Sequence, residues 1–192
     1  MVAEAVFLVA RVVVGGMFLV ALVSKARDLP SFRTAVRGFG VVPRRLERPV
    51  VAAVLGAEAA VVLLLVGRSS AAVGLGAAAL LLTAFATGMA RVLARGDRVP
   101  CGCFGRSTAP IGRAHVWRNG LLAGAAVTGL VAGASSHARL DGPVLLVVSL
   151  FAAAVVVVLV LSDQLLAVPE PPPRRPHRPP VGNPSTGATR KR

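Results

Sequence analysis

The chain has 192 residues, 55% of them hydrophobic and only 16% charged, yet its formal net charge is +14. A soluble nucleic-acid-binding protein would spread that charge over a polar folded surface. Here the basic residues gather between long uncharged runs, so no nucleic-acid partner is expected and the lipid bilayer takes that place.

The first run, Val2 to Val23, carries Glu4 and Arg11. It lacks a basic leader, Arg11 interrupts its apolar stretch and no small-x-small cleavage site follows. It therefore reads as a retained membrane helix and not as a signal peptide. Lys25 to Arg48 follows with seven basic residues. Within it Phe32, Val36 and Phe39 fall at helical spacing with Arg33 and Arg37 beside them, which fits either a short interfacial helix or a solvated basic loop. Pro43 and Pro49 close the segment and help start the next helix.

Pro49 to Val66 is apolar except for Glu58. Ala71 to Ala90, Ala114 to Gly133 (apolar after Arg118 and Asn119) and Pro143 to Leu161 complete the series. Each run spans about 30 Å of hydrocarbon as a helix rising about 1.5 Å per residue. The expected fold is all-α: an integral membrane bundle of about five transmembrane helices over residues 1–168. Gly120, Gly124, Gly129 and Gly133 form two G-x-x-x-G faces suited to close helix packing. Residues 169–192 hold eight prolines among basic and small residues; such a tail buries no apolar face and is expected to be disordered.

The loops give an orientation. Eighteen Lys and Arg fall in the first loop, the cysteine loop and the tail, against Arg68 and Arg139 in the other two loops. The positive-inside rule then predicts a multi-pass protein of the cell membrane, with the N-terminus outside and the cysteine loop and tail cytoplasmic.

Charges within membrane runs cost about 2.5–3.5 kcal/mol or more near the bilayer centre, which makes them functional candidates. Arg11 and Glu58 each lie near the middle of their helix, and the two helices run antiparallel. A buried Arg11–Glu58 pair is therefore expected.

Both cysteines stand in the stretch "VPCGCFG", as Cys101 and Cys103. Two thiols without clustered histidines complete no zinc site within the chain, and the spread of His115, His137 and His177 gives no metal or haem site. The pair can close on itself, with Gly102 permitting the tight backbone. A small strained ring is more easily reduced, and the adjacent Arg98 and Arg106 favour thiolate. A redox-active dithiol is one reading; two structural cysteines in a turn is the other.

Taken in order, "RVVVGGMFLVALVSKARDLPSF", "LGAEAAVVLLL", "ARGDRVPCGCFG" and "WRNGLL" resemble the MauE branch of the DoxX-like integral membrane proteins. The resemblance runs from Arg11 to about Leu122. It implies a helical membrane bundle linked to redox or disulfide chemistry, in the setting of methylamine utilisation and maturation of a disulfide-rich partner enzyme. The positions it marks are Arg11, Lys25, Glu58, Cys101, Cys103, Phe104, Gly105, Arg118 and Asn119.

The expected function is a membrane protein exchanging electrons or disulfides through Cys101 and Cys103, with a quinone or a partner protein's thiols as the other reactant. The alternative is a non-enzymatic assembly factor whose cysteines are incidental. The charge count sets the thiols on the cytoplasmic side, where thiols are kept reduced. That side suits electron delivery or redox sensing better than oxidation of exported substrates.

Overall fold

In a computed structural model the described residues are 2–40, 42–97, 111–135 and 141–166. They form six α-helices and no strand: α1 (Val2–Arg27), α2 (Leu29–Gly38), α3 (Glu47–Val66), α4 (Ala71–Arg95), α5 (Arg113–Ala134) and α6 (Gly142–Leu166), with a 3₁₀ turn at Arg44–Leu46 before α3. The expected all-α bundle is what forms. Each apolar run became one helix because a hydrocarbon surround leaves the backbone no other partners than its own carbonyls.

Local chemistry sets the boundaries. Asp28 caps α2 by accepting from the Ser31 amide at 3.2 Å and the Ser31 hydroxyl at 2.9 Å, and Pro30 fits the first turn, where no amide is needed. Gly96 ends α4 in the left-handed region at φ 74°, a conformation that glycine adopts without steric cost. Between α3 and α4, the Ser70 hydroxyl donates to the Leu64 carbonyl at 2.7 Å and holds a tight turn.

α1 is the centre of the bundle, with α3, α5 and α6 packed around it, while α4 lies along α5 and α3. The core is built from Phe7, Val14, Met17 and Phe18 of α1 against Leu65 of α3, Leu75 and Leu82 of α4, Leu122 and Ala126 of α5 and Ala152 of α6. α5 approaches α1 through its second glycine pair. A Cβ at Gly129 would collide with that of Ala10, and one at Gly133 would lie 2.6 Å from the Phe7 ring. Gly120 and Gly124 meet nothing within 4 Å, so among the described residues one of the two expected glycine faces is used.

Large apolar side chains point outward along the bundle, among them Leu63, Leu80, Leu121, Leu146 and Phe151. In water so much exposed hydrocarbon would drive association; against lipid tails it is ordinary surface. Among the described residues four helical spans are long and apolar enough to cross a membrane: Val2–Arg27, Arg44–Val66, Ala71–Arg95 and Gly142–Ser162. α5 falls short of the expected fifth by composition, because Arg113, His115, Arg118 and Asn119 crowd its first half. It packs against α4 and α1 nonetheless, with Leu121 and Val131 on its outward face.

The basic segment after α1 forms a helix, α2, and not a loop. Phe32, Ala35 and Val36 of α2 are buried, Phe32 and Val36 against Val51 of α3, while Arg37 stays exposed. Cys101, Cys103, Arg98, Arg106 and the tail from 169 lie outside the described residues.

Candidate functional site

A side chain on an α-helix leans toward the N-terminus of that helix. In the antiparallel pair α1/α3, Lys25, near the end of α1, leans back into the bundle, and Glu58 leans down to meet it. The Lys25 Nζ donates to Glu58 Oε1 in an ion pair, with the two residues only 5% and 1% exposed. The ammonium also lies over two aromatic faces, 5.4 Å from the ring centroid of Phe32 on α2 and 5.5 Å from that of Phe85 on α4. Cation–π attraction of this kind reaches about 2 kcal/mol when water is excluded. Four helices thus converge on one lysine.

Glu58 Oε2 is buried with no hydrogen-bond partner among the described residues. Beside the pair is a cavity of about 30 Å³, bounded by Phe18, Glu58, Phe85, Arg118, Asn119 and Leu122. It has room for a water or two. Asn119 is buried there and its Nδ2 donates to the His115 carbonyl at 2.8 Å. The first turn of α5 is held by the Gly112 amide, which donates to His115 Nδ1 at 3.1 Å. The structure therefore brings together Lys25, Glu58, Arg118 and Asn119, four of the residues singled out from the sequence.

Arg11 is not with them. The expected Arg11–Glu58 pair does not form, because Arg11 leans toward the opposite end of α1. Its Nε donates to the Leu65 carbonyl at 2.5 Å and its Nη2 to the Val66 carbonyl. These are terminal carbonyls of α3, which lack intrahelical donors. Similar depth put Arg11 and Glu58 level; side-chain direction parts them. At that same end Arg68 pairs with the buried Glu4 at 2.6 Å, a contact the sequence reading did not foresee.

A second and larger cavity, about 220 Å³, opens on the other side of Lys25. Phe32, Val36, Val54, Phe85, Met89 and Ile111 supply much of its wall, and Lys25 is its one polar side chain among the described residues. Ile111 is 5% exposed and is packed against Met89 and Val92 of α4. Asp97, just past α4, and Ile111, on this cavity, are the described residues that flank the stretch carrying both cysteines.

The same end is braced by polar contacts. Arg95 of α4 donates to the Phe39 carbonyl at 2.5 Å, and Arg37 Nε donates to Glu47 Oε2 at 2.5 Å. The Glu47 carboxylate holds the Arg37 guanidinium above its ordinary value. No group of three or more His, Cys, Asp or Glu able to hold a metal occurs among the described residues.

A family model described as "Methylamine utilisation protein MauE" matches residues 3–132. That is well over half of the chain, which therefore belongs to the MauE family. Its end falls before α6, so the matched part holds Lys25, Glu58, Cys101, Cys103, Arg118 and Asn119 together. No curated protein and no solved structure matches the chain. With its four apolar spans, the chain is a multi-pass membrane protein.

Proposed function

We propose that this MauE-family chain is a membrane redox protein of methylamine utilisation, exchanging electrons or disulfides through Cys101 and Cys103 and so serving the maturation of a partner redox enzyme. One observation carries the reading. The cysteine segment is tethered, through Gly96 and the buried Ile111, to the end of the bundle that holds the Lys25–Glu58 pair and the apolar cavity. In this reading the redox pair uses that cavity as its reaction space, and Arg98 and Arg106 on either side in the sequence favour its thiolate form.

The exchange balances simply. Two S–H bonds break and one S–S bond forms, and two electrons and two protons leave the dithiol. A partner disulfide takes them and becomes two thiols, or a quinone takes them and becomes a quinol. The reverse direction returns the dithiol.

The cysteine end faces the cytoplasm in this reading. Arg27, Arg33, Arg37, Arg44, Arg45, Arg48, Arg91, Arg95 and Arg113 belong to that end, against Arg11 and Arg68 at the other among the described residues, an asymmetry that favours it.

Redox titration of the purified chain in glutathione buffers, followed by alkylation and mass measurement, tests the dithiol. The expected result is a paired, reversible loss of two alkylation sites. Thiols that stay free and react independently under strongly oxidising buffers would overturn it. In cells, replacing both cysteines with serine is expected to abolish partner maturation; full maturation by the serine variant would establish the assembly-factor reading instead.

A further inference from the structure

We propose that the cavity beside Lys25 binds the ring of a membrane quinone, with the Lys25 ammonium donating to one ring carbonyl; the acceptor role this gives the quinone rests on the redox reading above. The cavity is large enough for a substituted six-membered ring, about 220 Å³, and among the described residues its walls are hydrocarbon and aromatic apart from Lys25. Phe32 and Phe85 both line it, and each also faces the ammonium. A flat ring has two aromatic surfaces to pack against.

Charge narrows the ligand further. An ammonium has three N–H donors, of which Glu58 Oε1 takes one. The ion pair as a whole is neutral, so neither an anion nor a cation gains from entering. What the site lacks is an uncharged acceptor oxygen presented by an apolar body. An acyl chain would fill the walls but leave the remaining N–H groups only the faces of Phe32 and Phe85, which are weaker acceptors than oxygen; a quinone carbonyl offers the stronger bond.

Access is from the bilayer, since Ala84 on the cavity wall is exposed on α4. On reduction both ring carbonyls become hydroxyls, taking the two protons and two electrons that the dithiol gives up as its disulfide forms. The Lys25 donor stabilises negative charge that develops on the carbonyl oxygen as electrons arrive.

The test uses the full chain in lipid nanodiscs with decylubiquinone as probe and decylbenzene, which has the ring and tail but no carbonyls, as control. Decylubiquinone is expected to bind saturably, about tenfold or more tighter than decylbenzene. Ala84→Trp, which fills the cavity from its open side, is expected to weaken quinone binding about tenfold or more with the ligand-free melting temperature retained. The double variant Lys25→Met/Glu58→Met is expected to erase the preference for quinone over decylbenzene. Equal binding of the two probes to the native chain would overturn the proposal, as would undiminished quinone binding by a folded Ala84→Trp.

The redox reading fails separately. The Cys101→Ser/Cys103→Ser variant is expected to bind decylubiquinone as the native chain does but not to bleach its absorbance. Quinone that binds yet is never bleached by the reduced native chain would overturn the acceptor role and leave a binding site. A dithiol that titrates normally in a chain that binds no quinone would overturn the site and leave the dithiol.

Discussion

The two ends of the bundle solve the same problem in different ways. At the end where α4 stops and α5 begins, a lysine and a glutamate are both taken out of solvent, locked together and roofed by two phenylalanines. At the opposite end Arg11 and Arg68 remain part-exposed, one capping the last carbonyls of α3 and the other reaching Glu4. A cation that keeps access to the interface can be satisfied by whatever acceptor lies near. A cation that gives up that access needs a partner of opposite charge, and such an arrangement is expensive unless something uses it.

If that contrast is sound, breaking the inner pair should have the largest effect. Lys25→Met leaves the Glu58 carboxylate buried alone and is expected to destabilise the bundle by about 3–5 kcal/mol, while adding Glu58→Met should recover much of the loss. Unfolding in mixed micelles reads both, and a double variant as damaged as the sum of the singles would deny the direct pairing. The next largest effect tests packing, which both ends share. Gly129→Val forces a side chain into Ala10 and is expected to cost about 1–3 kcal/mol, provided α1 and α5 cannot separate; the same micelle assay should show it, and Gly120→Val should be silent.

Two smaller changes probe the exposed end. Arg11→Met removes two charge-assisted bonds to carbonyls that water can partly replace, so a loss of about 1–2 kcal/mol is expected. Arg68→Ala takes a half-exposed partner from the buried Glu4, and a loss of about 1 kcal/mol, well below that at Lys25, is expected from the unfolding midpoint because water reaches the arginine side of the pair. A loss at Arg68 as large as that at Lys25 would erase the distinction between the two ends.

Much of the fold was legible because a bilayer leaves a chain few options. The runs from Val2, Pro49, Ala71, Ala114 and Pro143 each became a helix with ends displaced by only a few residues. α5 was the exception in kind, since a helix bearing Arg113, His115, Arg118 and Asn119 is apolar enough for the interior only where neighbours receive those groups. The site was legible in part. Glu58 stood out as a charge in an apolar run, while Lys25, Arg118 and Asn119 were marked by the family resemblance alone; their coming together was not legible. Depth along a helix can be counted from sequence; the lean of Arg11 away from Glu58 is a second coordinate, and it decided the partner. The contributions of Phe32 and Phe85 were not readable as a site, because an aromatic residue in an apolar helix carries no mark of what lies opposite it.

The central position of α1 also bears on how the protein is made. During synthesis α1 precedes the other helices of the bundle, and two of its faces must wait for α5 and α6. Its polar groups need not wait: Arg11 and Lys25 both find their acceptors on α3, the next span to insert. The faces left open are apolar, including the one that receives Val156 of α6 against Gly16, and lipid tails cover such faces at little cost until the later helices arrive. The order of the helices along the chain thus spares the nascent protein from holding an unpaired charge in the bilayer for longer than the synthesis of one hairpin.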